Sequence, residues 1–252
     1  MLGPSPNIKF SLIVSSYNLE LYIGACLESL KHLNYQMDDY EIICVDDGST
    51  DNSPQIIDAA SQQMTNTTVI YKTNGGLESA CNHGIREARF DYVVRVDADD
   101  MLDNNFLHAM NSAIIDHPNY DFYYCRNFVE YFNKENYRER CLPEFDPIEI
   151  FNRGDFLATG TVYQKTQLIQ IGLFPEEEKN CGLENYNVIL KLLTAGKTGL
   201  AVPDASFYYR RHNNNMSTIK RRSIINYGNS LLKLYGRAYR TNENHPYGLK
   251  LK

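Results

Sequence analysis

Three carboxylates fall within four residues at Asp97-Ala98-Asp99-Asp100, directly after the apolar run Tyr92-Val93-Val94-Arg95-Val96. Carboxylates spaced this closely repel one another unless a cation or another partner compensates them. A D-x-D pair in a loop offers hard oxygen ligands to Mn²⁺ or Mg²⁺. Such ions accept one or two protein carboxylates and leave their other positions to water and phosphate oxygens. The same triplet would also serve as a solvated acidic turn before the next helix.

A second polar group, Asp46-Asp47-Gly48-Ser49-Thr50, ends the run Tyr40 to Val45. A carboxylate there would accept hydrogen bonds from a nucleobase imide or from ribose hydroxyls, and Ser49 or Asp51 would equally cap the helix that follows. A third group, Ser15-Ser16-Tyr17-Asn18, closes the run Phe10 to Val14. Nearer the C-terminus, Arg210-Arg211-His212 supplies guanidinium forks suited to a diphosphate and an imidazole suited to a metal. Glu184, just after Cys181-Gly182, sits where it would act as a general base or merely favour a helix N-terminus.

These groups share a position relative to the chain's periodicity. Phe10 to Val14 and Tyr40 to Val45 are short, β-branched runs that read as buried strands. Between them Leu21, Ala25, Leu27, Leu30 and Leu33 recur at helical spacing. The unit repeats: a helix with Ile56, Ile57 and Ala60 on one face, a strand at Thr68 to Tyr71, a helix over Leu77 to Arg89, and a strand at Tyr92 to Val96. Alternating strands and helices predict an α/β fold with a mostly parallel central sheet flanked by helices. In such sheets ligands bind outside the carboxyl ends of the strands, which is where all three polar groups fall.

After Asp100 the pattern loosens into a helix at Phe106 to His117, a β-rich aromatic stretch at Asp121 to Phe132 and a loop at Arg138 to Pro147. Helical spacing resumes over Gly182 to Ala195, and Gly199 to Val202 and Ser206 to Tyr209 read as short strands. The expected organisation is one domain over residues 1–218, with a regular half at about 8–100 and an irregular half at about 101–218, followed by a basic helical tail at 219–252.

The chain has 252 residues and a net charge of −6, which argues against nucleic acid as a partner. The charge is uneven: from Ile219 onward eight Lys or Arg face the single acid Glu243. With Leu231, Leu232, Leu234 and Tyr235 among them, that tail would either form an amphipathic helix on a membrane surface or pack on the acidic body. No apolar run approaches the roughly 18 to 20 residues of a membrane span. The six cysteines are scattered without a C-x-x-C pair, and Met1 to Asn7 does not read as a secretory signal. Together these favour a cytoplasmic protein, placed by its tail at the inner face of the membrane if the tail binds lipid.

Taken in order, the segments resemble the family 2 inverting glycosyltransferases of the GT-A fold. Ser11-Leu12-Ile13-Val14-Ser15-Ser16-Tyr17-Asn18 resembles the family's opening strand and P-x-Y-N turn, with serine where proline is common. Ile43-Cys44-Val45-Asp46-Asp47-Gly48-Ser49-Thr50-Asp51 resembles its nucleotide-binding turn, Asn74-Gly75-Gly76-Leu77 through Asn82-His83-Gly84-Ile85 its N-x-G…A-R-N-x-G-I segment, and Val96-Asp97-Ala98-Asp99-Asp100 its D-x-D position. The likeness runs on through Gly182-Leu183-Glu184-Asn185 and Tyr209-Arg210-Arg211-His212 to about Ser217.

The resemblance implies transfer of a sugar from a nucleoside-diphosphate sugar, UDP or GDP, to a hydroxyl of a glycan or lipid-linked acceptor, as in polysaccharide biosynthesis. It implies that Ser15, Tyr17, Asn18, Asp46, Asp47, Gly75, Asn82, Asp97, Ala98, Asp99 and Arg210 surround the donor, with Asp99 and His212 on the metal. Two positions depart from the pattern. Cys81 stands where the family often has an arginine near the donor, which leaves Arg95 or Arg210 to compensate. Asn185 stands where an aspartate commonly serves as base, and an amide does not accept a proton at neutral pH. Glu184 is then the favoured base and Asp155 an alternative. Two other readings stay open: a non-catalytic nucleotide-sugar-binding relic of the fold, and a phosphohydrolase of the haloacid dehalogenase type, whose nucleophile motif Asp97-x-Asp99 superficially fits.

Overall fold

The computed structural model describes residues 7–133, 135–142, 144–153 and 159–237. Its first half alternates β1 (Phe10–Ser16), α1 (Ile23–Lys31), β2 (Tyr40–Asp46), α2 (Ser53–Ser61), β3 (Thr67–Tyr71), α3 (Leu77–Glu87) and β4 (Tyr92–Asp97), as the periodicity predicts. Both β1 and β2 are buried along their whole length, so each needs an apolar partner on both faces. Leu12, Val14, Ile42 and Cys44 face one core with α1 and α4, while their neighbours Ile13, Ile43 and Val45 face a second core with α3 and α7. In those cores α4 spans Phe106–Asp116 and α7 spans Glu184–Thr194. On the second face α3 lies very close to the sheet. A Cβ added to Gly84 would stand 2.6 Å from Ile13 Cγ2, so only glycine permits this approach.

The second half adds β5 (Met101–Leu102), β6 (Phe122–Cys125), β7 (Asn127–Asn133), β8 (Asn136–Cys141), α5 (Pro147–Arg153), β9 (Thr161–Gln164), α6 (Lys165–Gln170), β10 (Gly199–Val202), β11 (Phe207–Arg210), α8 (Met216–Ile219) and α9 (Arg221–Leu234). The main sheet has the order β10-β6-β9-β4-β1-β2-β3, and a smaller sheet the order β5-β11-β7-β8. All neighbouring pairs in the main sheet are parallel except those of β9, which runs antiparallel between β4 and β6.

Residues 138–147, expected as a loop, contain most of β8. That strand pairs with β7 and every one of its residues is exposed, so it lacks the apolar alternation that marks a half-buried strand. The basic tail begins as a helix that turns inward. Ile224, Leu231 and Leu232 of α9 are buried in the same core as α7. Among the described residues no helix is long and apolar enough to cross a membrane.

Register brings the polar groups together. Ser16 lies beside Asp46 across β1 and β2, and Ser15 beside Asp97 across β1 and β4. The three strands therefore release their polar ends at one edge. The smaller sheet adds a fourth group, because β11 pairs with β5 immediately after the acidic triplet and carries Arg210 to it.

Candidate active site

At that edge lies a pocket of about 370 Å³, within the range that holds small-molecule ligands. Ser15, Tyr17, Asp47, Asp97, Ala98, Asp99 and Glu184 line it, and Asn214 and Asn215 of the loop after β11, with Lys220 between α8 and α9, close one wall.

The two carboxylates of the D-x-D pair face different groups. Asp97 Oδ1 accepts from Arg95 Nε at 2.9 Å and meets Arg95 Nη2 at 2.7 Å. Asp99 Oδ2 instead lies 3.0 Å from His212 Nε2 and 3.4 Å from Asn215 Nδ2. The Tyr22 ring stacks on His212 with centroids 4.2 Å apart and fixes the imidazole plane. Asn214 N–H reaches His212 Nδ1 at 3.2 Å, so in this arrangement Nε2 carries the proton and donates it to Asp99. Behind them Asp100 is fully committed: it accepts from Thr159 Oγ1 at 2.7 Å and from Arg210 N at 2.9 Å. Burial and the nearby Asp99 and Asp97 charges hold the Asp100 pKa well above the usual carboxylate range. Asp97 is also raised, by burial and by Asp99 and Glu184, against the pull of Arg95.

The converging Asp99 carboxylate and His212 imidazole supply an oxygen and a nitrogen of the kind that fit a divalent cation of the Mn²⁺ or Mg²⁺ type. Ligation through Nε2 would move the imidazole proton to Nδ1 and displace the Asn214 N–H. Glu78, Cys181 and Glu184 also bring ligand atoms within 4.8 Å of one another. Their donors are spent elsewhere, since Glu78 accepts the backbone N–H groups of Asn180 and Cys181, both at 2.8 Å, and Glu184 faces Arg95.

Glu184 opens α7 and is buried, with Oε1 2.8 Å from Arg95 Nη1. Its Oε2 meets the Cys181 thiol at 3.8 Å. Asn185 also lines the pocket, and its Oδ1 accepts the Tyr163 hydroxyl at 2.6 Å. Arg95 is 4% exposed and rests its guanidinium 5.5 Å from the Phe174 ring centroid. Burial opposes its charge, but Asp97 and Glu184 outweigh burial and keep it protonated. Asp155 lies outside the described residues.

Of the residues expected at the donor, Asp46, Asn18, Asn82, Gly75 and Arg210 are not among those that line the pocket and their contacts hold the chain, whereas Asp47, Ser15 and Tyr17 line it. Asp46 Oδ1 accepts the Gly48 and Ser49 N–H groups at 3.1 and 2.9 Å, while its Oδ2 is buried without a hydrogen-bond partner among the described residues. Asn18, at φ 53°, accepts from Thr50 N at 2.8 Å and donates its own N–H to Ser49 Oγ at 2.9 Å, bracing one turn on the other. Asn82 is buried and grips Phe174 from both sides, donating to its carbonyl at 2.9 Å and accepting its N–H at 3.0 Å. Gly75 and Gly76 give their N–H groups to Asp47 at 2.8 and 2.7 Å, and Lys72 Nζ reaches the same carboxylate at 2.6 Å. Arg210 spends Nε on the Asp99 carbonyl at 2.9 Å and lies over Tyr22 and Tyr131. Ser15 Oγ is 3.1 Å from Cys81 Sγ, and Tyr17, 47% exposed, stands at the mouth. Tyr22, Glu78 and Thr159 carry no motif, and only their contacts reveal them.

Residues 11–173 match the family model described as Glycosyl transferase family 2. Over 180 residues the chain is 34% identical to the glycosyltransferase GlyG of Streptococcus pneumoniae serotype 4, covering 66% of this chain and 58% of that one. It spans only 28% and 16% of two other curated relatives. Among solved structures it resembles S. aureus TarS 1–349 in complex with UDP-GlcNAc, with a TM-score of 0.69 at 22% identity over 89% of this chain and 66% of that one. It also resembles a mannosyltransferase from Pyrobaculum calidifontis in complex with GDP-Man and Mn²⁺, with a TM-score of 0.72 at 18% identity over 97% of this chain and 69% of that one. At such identities the structural likeness shows the fold, which is that of the GT-A glycosyltransferases.

Proposed function

This chain belongs to glycosyl transferase family 2, and from that premise we propose that it moves a sugar, with inversion, from UDP or GDP to a hydroxyl of a glycan or lipid-linked acceptor, using Mn²⁺ or Mg²⁺. The observation that carries the reading is the approach of Asp99 Oδ2 to His212 Nε2, at 3.0 Å, on the wall of a pocket that Glu184 also lines. The nucleotide sugars bound in TarS and in the archaeal mannosyltransferase, and the Mn²⁺ of the latter, support the same choice of ligands. Membership of the family also removes the haloacid dehalogenase alternative for Asp97-x-Asp99.

Asp99 and His212 would hold the cation, whose chemistry is to neutralise charge on the departing nucleoside diphosphate. Asp47, which lines the pocket and is pre-set by Lys72 and the Gly75 and Gly76 N–H groups, would meet the nucleobase or ribose. Direct displacement at the anomeric carbon needs a base on the acceptor side. Glu184 is that base: Oε1 is paired with Arg95, and Oε2, which among the described residues accepts from the Cys181 thiol, receives the acceptor proton. Asn185 does not compete, because its amide oxygen already accepts from Tyr163. All six cysteines are free, which supports a cytoplasmic setting. The exposed Arg221 and Arg222 of α9 would still meet an anionic membrane surface, and liposome binding weakened by Arg221→Glu with Arg222→Glu, which leaves Ile224, Leu231 and Leu232 in the core, is the result expected.

Thermal melting with UDP, GDP and their sugars, with and without Mn²⁺, tests the donor reading, since ligands of the native state raise its melting temperature. A metal-dependent rise with one nucleotide series is expected. No shift with any of them overturns the proposal, and a shift without hydrolysis or transfer would leave a binding relic.

A further inference from the structure

The cations near the pocket are, with one exception, committed to the fold. Lys72 Nζ meets Asp47 at 2.6 Å, and Arg95 lies between Asp97 and Glu184. Lys179 donates to the Asn74 carbonyl at 3.1 Å, and Arg210 donates to the Asp99 carbonyl at 2.9 Å. Lys220 is the exception. It lines the pocket and is half-buried, yet its side chain makes no ion pair or hydrogen bond among the described residues. Asp47, Asp97, Asp99 and Glu184 line the same pocket, but each takes its charged partner elsewhere, from Lys72, Arg95 or His212. An ammonium drawn partly out of water costs free energy unless an anion meets it.

The backbone ties Lys220 to the Asp99 end of the pocket. Asn215 donates its side-chain amide to Asp99 Oδ2 at 3.4 Å and to the Arg210 carbonyl at 3.1 Å, and its own carbonyl accepts the Thr218 and Ile219 N–H groups that open α8. One turn later the Lys220 N–H closes α8 on the Met216 carbonyl, and the Lys220 carbonyl accepts the Ile224 N–H as α9 begins. Ile224 is buried, and Gly182 leaves just enough room for it. Lys220 is therefore pinned from both sides, a single helical turn from the residue that orients Asp99. A lysine ammonium is a compact charge on a flexible stem, suited to phosphate oxygens as a point charge and not as a fork. Resting on the donor reading above, we infer that Lys220 is a diphosphate-binding residue, whose ammonium pairs with phosphate oxygens of the nucleoside-diphosphate donor. Lys220 then shares with the divalent cation the charge that builds on the departing diphosphate.

Calorimetric titration of the full chain with UDP and with GDP in Mn²⁺ tests this in the wild type, in Lys220→Met, which keeps the stem and loses the charge, and in Lys220→Arg, which restores the charge. Lys220→Met should weaken the nucleoside diphosphate that the wild type binds by about 10-fold, the low end for a charge-assisted hydrogen bond because water reaches the side chain. Lys220→Arg should stay within about threefold of the wild type. Unchanged affinity in Lys220→Met overturns the inference. So does an equal loss in Lys220→Arg, which would show that the position shapes the α8 turn and supplies no charge. Co-sedimentation with phosphatidylglycerol vesicles reads the other anion that a cation here could meet. Vesicle binding should be the same in Lys220→Met and the wild type, and a loss of vesicle binding with nucleotide affinity intact assigns Lys220 to a membrane and overturns the inference. If the wild type binds neither UDP nor GDP, the donor reading itself has failed and this assignment falls with it.

Discussion

Asp97 and Asp99 are two residues apart and do different work, because one shares Arg95 with Glu184 and the other shares His212 with Asn215. Their loss should therefore separate from the loss of Glu184. Asp99→Asn should lower donor turnover, hydrolysis included, by about 100-fold or more and abolish the Mn²⁺-dependent rise in melting temperature. Glu184→Gln should keep nucleotide affinity within a few-fold while transfer falls by about 10²- to 10⁴-fold, the range of a removed general base. Wild-type transfer in Glu184→Gln would remove it as base. Asn82 marks the limit of reading a residue by its motif. It belongs to a donor-associated segment, yet both ends of its amide are spent on the Phe174 backbone. Asn82→Ala should cost about 1–3 kcal/mol of stability by chemical denaturation, through two buried backbone groups left unpaired, with nucleotide affinity of the folded protein unchanged. Residue type and place along the chain located Asp46, Asn18 and Asn82 near the strand ends, but the direction of a side chain depends on partners distant in sequence.

Glu184 stands where it does because the chain turns sharply into α7. Gly182 has a φ of +75°, and a Cβ there would lie 2.7 Å from Ile224 Cγ1 of α9. Gly182→Ala combines backbone strain with a steric conflict against a buried helix, a cost of about 1–3 kcal/mol. It should lower transfer more than nucleotide binding, because it shifts the start of α7 and not the ends of β1, β2 and β4. In an Ile224→Ala background, itself destabilised because Ile224 is buried, Gly182→Ala should cost only the part due to φ; an undiminished cost there would show that α9 does not set this turn. The elements themselves were legible in proportion to their burial and length. β1, β2 and β4 are apolar runs with helices between, and their parallel direction and polar ends follow from that alternation, whereas their order in the sheet does not. β9 was not legible, because four residues at Thr161–Gln164 between partners of opposite direction carry too few positions to show a period. β8 was not legible for a different reason: all its residues are exposed, so ladder hydrogen bonds and not burial hold it to β7.

At the scale of the whole molecule, folding gathers acids faster than it neutralises them, and this sets a pH dependence. Burial raises Glu78, and the Glu184 charge raises it further, against the backbone N–H groups of Asn180 and Cys181. Asp100 is raised in the same way by burial, Asp99 and Asp97. For a carboxyl whose pKa is higher folded than unfolded, the folded state binds the proton more tightly, so its contribution is full below the ordinary pKa of about 4 and fades as pH rises through the folded value. Glu41, Asp51 and Asp121 run the other way. Burial pushes each up, but hydrogen bonds such as those from Ser11, Ser53 and Thr198 outweigh it, so their contribution is lost as pH falls below about 4. The two sets together place the maximum of stability just above the ordinary carboxylate range. With divalent cations chelated, the melting temperature should fall as pH rises above the ordinary carboxylate range. Glu78→Gln should flatten that slope, since it removes one of the raised carboxyls without touching the Asp99 and His212 end of the pocket. Mn²⁺ should flatten it by a separate route, compensating the acidic triplet, so the two effects should add. A melting temperature that rises with pH above that range in the chelated wild type would mean that these buried carboxyls titrate unshifted.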